Sequence, residues 1–522
     1  MTVAASRVAT ELATTRPAPD PTTLPLRTDA AVQGNVLASF DKDHQMLLLV
    51  HLPDRSSARR WLAELAPMLA SNADVVAFNA EFSRRRRDSG SDPADMSAVW
   101  LNVSFTAPGI GVFDTGALTA PAGGWEPAVQ PWIDGASSPT VLDPRTGEGD
   151  GSDQHWLFGR AGAARPVHAI VCVAADRRAD LNRAIDEQWD LCARTGTEVV
   201  FQQPGAVLSG PSHGHEHFGF KDGISQPGIS GFDPIDPANP ADPQVLGKPG
   251  TDVIAAGNFA LGYPLDDSTE GVPVPAWMHD GSFLVTRRMA QNVPGFWHNM
   301  TEEYETVRRR QGNDAATRVD SAEELAARLV GRYRNGSPTD KLPQTSRPDD
   351  PSTDNDFNFA ADPHGDLTPQ CAHIRKVYPR SGADHEGAFP RTTEDDTRKH
   401  RLLRRGITYG AAFEPTAGPG HGVETERGLV FQCYQSSLAD GFIFIQRLWV
   451  DDVSFPEQKV GNDAVIGRSS KALCPAGGKD VSISLTDWIS IKGTVFSLTP
   501  SLRVVHALAD GTPLSSLPAE TS

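Results

Sequence analysis

The chain has 522 residues, of which 39% are hydrophobic, and it carries a formal net charge of −18 at pH 7. This acidic balance argues against a nucleic-acid partner and against binding to anionic membranes. The five cysteines are scattered and lack C-x-x-C spacing, which excludes a disulfide framework or a thiolate zinc site and predicts a cytoplasmic protein. No apolar run approaches the ~20 residues that cross a bilayer.

The first elements in chain order are a strand and a capped helix. The apolar run at 45–52 predicts the strand, and Asp54 or Ser56 can cap the helix that follows. One face of this helix is marked by Ala58, Trp61, Leu62, Leu65 and Leu69. A second strand is predicted at 99–105.

A similar unit recurs further along the chain. A strand at 167–173 precedes a helix that is marked by apolar residues at helical spacing, and later strands are predicted at 282–286 and 442–449. The helix markers are Leu181, Ala184, Ile185 and Trp189. This order predicts an α+β protein with duplicated strand–helix units and sheets that helices cover on one side.

The segment 216–227 is the most informative part of the sequence. Gly219 and Gly223 flank Asp222 and predict a tight loop, because glycine adopts backbone angles that other residues avoid. Three alternating histidines precede or enter this loop: His213, His215 and His217. The residue types alone leave three interpretations open, namely a metal site, a carboxylate acid or base, and a plain turn.

Two more polar clusters lie downstream. His373 is surrounded by cationic neighbours, which would suit a ligand with carboxylates such as haem, whose iron is commonly held by one axial histidine. Arg404 and Arg405 precede a glycine turn, and adjacent strand residues point to opposite faces, so only one of them can point inward. A buried arginine supplies fixed positive charge beside a reacting centre.

Together the three clusters fit haem peroxidase chemistry. That chemistry needs an axial ligand, a base that moves a peroxide proton, and a cation that stabilises the charge formed as the O–O bond breaks. His373, Asp222 and Arg404 are the candidates for these roles. They lie far apart in the sequence, so spacing alone does not bring them together.

These stretches resemble the dye-decolorising peroxidase family. Residues 219–223 match its G-x-x-D-G signature, while 373–380 and 404–410 are similar to its axial-histidine and distal-arginine segments. A weaker match occurs at Gln33-Gly34-Asn35. The resemblance runs in order from about residue 30 to 510, and the insertions are typical of the long, elaborated branch of the family.

The resemblance implies two ferredoxin-like modules whose antiparallel sheets are flanked by helices, in the manner of a dimeric α+β barrel. The expected boundaries are a disordered tail at 1–29, an N-terminal module at 30–230, a haem-binding C-terminal module at 231–510 and a tail at 511–522.

The resemblance also implies haem b as the cofactor. By carry-over, His373 is the axial iron ligand, Asp222 the distal acid/base and Arg404 the distal cation, which the offset from Gly406 favours over Arg405. Further expected cofactor contacts come from Gly223, from Arg375 at a haem propionate and from Phe444 in the distal pocket. Asp463 is the predicted carboxylate partner of His373.

The implied function is a haem b peroxidase that reduces hydrogen peroxide and oxidises bulky donors such as dyes and phenolics. Its expected partners are hydrogen peroxide and small aromatic donors, with no nucleic acid and no membrane, and a homo-oligomer stays open. A carboxylate base remains usable in mild acid, so activity is predicted to peak on the acid side.

Three rival functions also remain open. They are a non-enzymatic haem-binding, haem-transfer or haem-sensing protein, a non-haem metal protein that uses the three alternating histidines, and a haem-free structural relative.

Overall fold

The computed structural model describes residues 24–121, 124–138, 153–238, 242–266, 268–340, 354–388, 390–413 and 426–517. Most of the two predicted tails, residues 1–23 and 518–522, lies outside these ranges. None of the helices in the described ranges combines the length and the apolar character needed to cross a membrane.

The strands of the described ranges are numbered in chain order. They are β1 (His44–His51), β2 (Val99–Phe105), β3 (Ala169–Ala175), β4 (Glu198–Ala206), β5 (Gly228–Ile229), β6 (Val253–Ile254), β7 (Ser282–Gln291), β8 (Leu403–Arg404), β9 (Ile407–Tyr409), β10 (Gly428–Gln435), β11 (Ser470–Ala476), β12 (Lys479–Leu485) and β13 (Ile489–Thr499). One large sheet has the order β4-β1-β3-β2-β13-β7-β10-β8, with β9 paired to β10. Its neighbouring strands are antiparallel.

The α-helices of the same ranges are numbered likewise. They are α1 (Arg55–Leu65), α2 (Asn72–Ser89), α3 (Ala107–Phe113), α4 (Gln130–Asp134), α5 (Arg178–Thr195), α6 (Val293–Arg310), α7 (Ala322–Val330), α8 (His373–Val377), α9 (Glu394–Arg398) and α10 (Leu502–Asp510). A large antiparallel sheet with helices packed on it confirms the predicted α+β fold class. The module boundary at residue 230 stays a prediction.

The first strand–helix unit forms as the sequence predicts. Asp54 caps α1 by accepting a hydrogen bond from the Ser57 backbone N–H at 2.9 Å, which satisfies an otherwise unpaired helix N–H. Trp61 and Leu62 of α1 are buried against the sheet. The predicted capping and packing of this helix are therefore confirmed.

Both faces of the sheet are covered at β1, whereas helices were expected on one side only. Leu48 and Val50 pack with α1, while Leu47 and Leu49 pack on the opposite face with α2. The strand is a continuous apolar run, and such a run is typical of a strand buried on both faces rather than one.

The predicted strand at 442–449 is wrong. The chain there forms two short π-helical segments, Ala439–Ile443 and Ile445–Val450. A short apolar run cannot be assigned to strand or buried helix by periodicity alone. Phe442 and Trp449 are both buried, so the run reflects burial and not strand alternation.

Trp189 was predicted on the buried face of α5 and is instead 42% exposed. Because a helix has about 3.6 residues per turn, each step of four residues rotates the side chain further around the helix axis, and Trp189 has moved off the buried face. The buried face therefore continues through Gln188 and Leu191.

The sheet has a seam between β2 and β13. Their backbone pairing consists of the single partner pair Leu498 and Phe105. The buried side chain of Gln33 bridges this seam, since it donates to the carbonyls of Val103 at 3.0 Å and Pro500 at 2.8 Å and accepts from the Val103 N–H at 2.9 Å. Side-chain hydrogen bonds thus supplement the short backbone ladder.

Candidate active site

The segment that carries Asp222 is a tight loop. Gly219 has φ 99° and Gly223 has φ 83°, angles that favour glycine. Phe218 and Phe220 are buried, and Phe218 stacks on a phenylalanine of α6 with ring centroids 4.4 Å apart. The buried rings anchor the loop, and the glycines let the backbone turn beside Asp222.

Glu216 supports this loop from inside, although its position in the sequence gave no sign of that role. Its carboxylate accepts hydrogen bonds from the backbone N–H groups of Phe218 at 2.8 Å and Phe220 at 2.9 Å, and from Gln291 Nε2 at 2.7 Å. Burial raises the pKa of Glu216, and these three donors oppose that rise. The donors hold the buried side chain in one orientation.

Arg404 reaches Asp222 from the sheet edge. It lies on β8, where it is the cross-strand partner of Cys433, and its Nη1 donates to Asp222 Oδ1 at 2.8 Å. Arg405 points elsewhere and donates to the carbonyls of Asn35, Val36 and Leu37. The structure therefore brings Arg404, and not Arg405, to the loop.

The ion pair sets the charge state of Asp222. The Asp222 side chain is 41% exposed. Its partial desolvation at the cavity raises its pKa, but the Arg404 charge and hydrogen bonds from Gly223 and Arg404 outweigh this and hold the pKa below its usual range. Asp222 is therefore ionised and able to accept a proton in mildly acidic solution.

His373 begins the short helix α8 and is held by a buried carboxylate. It donates its Nδ1–H to Asp463 Oδ2 at 2.8 Å, and Asp463 Oδ1 accepts from the backbone N–H groups of Val465 and Ile466. The predicted contact between His373 and Asp463 is confirmed. Because Nδ1 carries the proton, Nε2 presents a lone pair.

His373 and Asp463 shift each other's pKa. Burial lowers the pKa of His373, but the Asp463 carboxylate outweighs it and raises the pKa above its ordinary value. Burial raises the pKa of Asp463, and His373 with the two backbone donors brings it below the usual range. A carboxylate on Nδ1 makes Nε2 a stronger ligand.

His373, Asp222 and Arg404 line one cavity. The sheet forms one wall of the cavity. Side chains two positions apart on a strand lie on the same face of the sheet. The lining pairs of this kind are Met289 and Gln291 on β7, and Leu429 and Phe431 on β10. Other apolar lining residues are Phe442, Ile445, Val465, Ile466 and Ile489. The site thus combines an imidazole and an ion pair with a largely apolar enclosure.

The chain is similar in sequence to known peroxidases. The family model "Dyp-type peroxidase, C-terminal" matches residues 270–459. The chain is 27% identical to a dye-decolorizing peroxidase of Auricularia auricula-judae, over 91% of this chain and 85% of that protein. It is also 27% identical to the multifunctional dye peroxidase DyP2 of an Amycolatopsis species, over 91% and 95% of the two chains.

Solved structures share the fold. An ancestral D-type dye-decolorizing peroxidase superposes with a TM-score of 0.71 at 26% identity and covers 91% of this chain and 98% of its own. The chain belongs to the dye-decolorising peroxidase family. It is accordingly a peroxidase, and peroxidases of this family depend on haem and use hydrogen peroxide with organic donors.

The cavity lined by His373, Asp222 and Arg404 is the peroxidase cavity. Gly223 lines it, whereas Arg375 and Phe444 do not. Arg375 is 1% exposed and donates to the carbonyls of Thr368 and Asp362. It lies two positions from His373 on α8, and helix residues two apart do not face the same side. The predicted contact of Arg375 with a propionate therefore has no support in this arrangement.

Phe444 packs behind the cavity wall. Its ring stacks on His400 with centroids 3.7 Å apart, and His400 and Phe442 line the peroxidase cavity in its place. On a strand, Phe442 and Phe444 would share a face. Because the segment is helical, they do not.

Two cationic residues at the cavity were missed from the sequence. Arg332 is buried and donates to the carbonyls of Gly336 and Asp354, both at 2.7 Å, and Arg401 Nη1 donates to Asp252 at 3.1 Å. Burial lowers the pKa of Arg332 to about 9. Both residues line the cavity. Arg401 stands three residues before Arg404 in the sequence but was assigned no role, and no motif points to Arg332.

The alternating histidines form no metal site with one another. His215 approaches the carbonyls of His213 and Arg334, and His217 donates through Nε2 to the carbonyl of Tyr409 at 2.8 Å. The bonded ring nitrogens of His215 and His217 thus contact separate backbone groups, and among the described residues the three histidines form no converging group of metal ligands.

Proposed function

We propose that the protein is a haem b peroxidase that reduces hydrogen peroxide and oxidises bulky organic donors such as dyes and phenolics. The observation that carries the proposal is a single apolar cavity lined by a carboxylate-bound histidine and by an Asp–Arg ion pair. His373 is the axial ligand, and Asp222 and Arg404 form the distal pair.

The residues fit a haem. The Nε2 lone pair of His373 is the ligand atom that haem iron takes from a proximal histidine, and the apolar walls suit a porphyrin. Arg332 and Arg401 offer positive charge for the propionates, in place of Arg375. When bound, the haem supplies the redox chemistry.

A non-covalent b-type haem is supported by the cysteines. All five are buried, and none is a lining residue of the cavity. Covalent attachment of haem uses a C-x-x-C-H motif, which the sequence lacks. The haem is therefore not attached through cysteine thioethers.

Asp222 and Arg404 have separate roles in the cleavage of hydrogen peroxide. Asp222 Oδ atoms accept a proton from hydrogen peroxide and return it to the oxygen that leaves as water. Arg404 places a fixed positive charge where negative charge develops as the O–O bond breaks. A haem storage or transfer protein needs neither residue, so the ion pair favours the enzyme.

The visible spectrum of the purified protein, with its turnover of peroxide and a dye, tests the proposal. We expect a haem Soret band in the wild type, and loss of haem or altered ligation in His373→Ala. The exposed His298→Ala variant should keep the wild-type spectrum. Full haem content with unchanged ligation in His373→Ala would contradict the axial role, and turnover without haem would contradict the whole proposal.

A further inference from the structure

A second group of potential metal ligands lies outside the peroxidase cavity. Glu457 Oε1 is 3.3 Å from His385 Nε2 and 3.8 Å from His364 Nδ1. The three ligand atoms all lie within 4.8 Å of one another. In the described part of the chain, no other three histidine, cysteine or acidic side chains converge in this way.

Two of these atoms are buried without a hydrogen bond. His385 has a side chain that is 10% exposed and Glu457 one that is 30% exposed, yet His385 Nε2 and Glu457 Oε1 have no hydrogen-bond partner. Buried polar atoms are normally satisfied, so each exception calls for an explanation. An ion bound between these atoms would satisfy both.

The tautomer of His385 strengthens this point. Its Nδ1 faces the carbonyl of Glu386 at 3.2 Å. In the neutral ring this acceptor takes the proton on Nδ1, so Nε2 and the Glu457 carboxylate present lone pairs to the same point and can bind one cation together. A second ring nitrogen bound to a carbonyl is also the usual support of a metal-ligating histidine.

The spacing suits a small divalent ion. Ligand atoms at about 2.1 Å from a tetrahedral ion lie about 3.4 Å from one another. The separations of 3.3 Å and 3.8 Å are close to this value. Two imidazoles and one carboxylate favour zinc or copper over magnesium or calcium, which prefer oxygen ligands.

We propose that His364, His385 and Glu457 bind one divalent transition-metal ion of the zinc and copper class. His364 precedes α8 in the chain, His385 follows it, and Glu457 lies just after Phe455, whose carbonyl accepts from Lys376 of α8. The ion therefore joins three segments that surround the helix carrying His373. Its role is to hold these segments together, and it is separate from the peroxidase chemistry.

Calorimetric titration of tag-free, EDTA-dialysed holoenzyme with Zn²⁺ tests the site. We expect about one ion per chain, and His385→Ala should lose at least about tenfold in affinity, since even loss of a supporting residue costs that much. The matched control is His298→Ala, because His298 forms an exposed pair with Glu302 at 3.5 Å. This control should bind like the wild type, and Mg²⁺ should show no saturable binding.

Glu457→Gln provides a second, nearly isosteric variant in case His385→Ala folds poorly. It should lose affinity, while Glu302→Gln should not. Electron paramagnetic resonance of bound Cu²⁺ should show two nitrogen ligands in the wild type and one in His364→Ala. Absence of saturable Zn²⁺ binding, or equal affinity in the wild type, His385→Ala and Glu457→Gln, would overturn the proposal. Neither result depends on peroxide turnover.

Discussion

The two halves of the main sheet differ in what they bury. In β1 and β3, residues such as Leu48 and Val171 are apolar and at most 1% exposed. In β7, Arg287 and Arg288 are buried in the middle of the strand, at 4% and 6% exposure. The same antiparallel architecture thus holds an apolar core in one half and buried charge in the other.

Buried charge is costly unless it is paired. Arg288 binds Glu426 and Gln203, and Arg287 donates to Thr494 and Gln446. The Arg287 network lies on the cavity face of β7, because its partner Gln446 lines the cavity. Arg288 points to the opposite face and reaches Gln203 of β4. The β1 and β3 half is thus mainly an apolar core, whereas the β7 half accepts buried charge, part of which borders the site.

The largest expected effect on activity comes from Asp222→Asn. Loss of the proton acceptor should slow the reaction with hydrogen peroxide by about 10²- to 10⁴-fold, while the haem spectrum stays close to that of the wild type. Stopped-flow measurement of the peroxide reaction checks this, with the exposed Asp186→Asn as control. An unchanged rate constant in Asp222→Asn would remove the acid/base role.

Arg404→Gln should have the next largest effect. It should slow the reaction with hydrogen peroxide by about 10²- to 10³-fold, the loss typical of removing one preorganised electrostatic donor. It should also change the pH profile. In the wild type, Arg404 holds the pKa of Asp222 low, so activity persists in mild acid and is lost as the pH falls through that lowered pKa. Without Arg404 the acid limb should move to higher pH.

The pH dependence of the peroxide rate constant measures this movement. Exposed Arg309→Gln on α6 should leave the profile in place. If the acid limb of Arg404→Gln coincides with that of the wild type, Arg404 does not control the charge of Asp222.

The smallest expected effect on activity comes from the apolar half. Leu48 is 0% exposed, so Leu48→Ala should lower the free energy of unfolding by about 2–5 kcal/mol. Chemical denaturation measures this loss. The peroxide rate constant per bound haem should stay unchanged, and a parallel loss of that rate constant would show that the two halves are not separable in function.

Local patterns predicted the parts of the fold that local forces determine. The apolar run before Asp54 and the helical spacing after it give β1 and α1, because the cap and the buried stripe are encoded within a few residues. The run at 442–449 was misassigned because a short apolar run carries no periodicity that separates a strand from a helical segment. The error at Phe444 follows from that misassignment.

In the candidate site, too, residues in local motifs were predicted and residues placed by tertiary packing were not. Asp222, His373 and Arg404 were found because each sits in a recognisable motif, and the structure brings all three to one cavity. Arg332 and Arg401 were missed because only tertiary packing places them there. Arg375 does not line the cavity, because adjacency to His373 in sequence does not determine the side of α8 on which a residue lies, and its contact with a propionate stays a prediction.

The seam at β2 and β13 has a mechanical consequence for the molecule. Elsewhere in the sheet, runs of backbone hydrogen bonds fix the angle between strands, but here a single partner pair is helped by the side chain of Gln33. Side chains therefore carry much of the contact between these two strands, including the hydrogen bond from Ser497 Oγ to Ser104 Oγ at 2.9 Å. Replacing Gln33 would leave two carbonyls and one backbone N–H at the seam without this partner, so a single buried side chain far from the cavity matters for how firmly the two halves are joined.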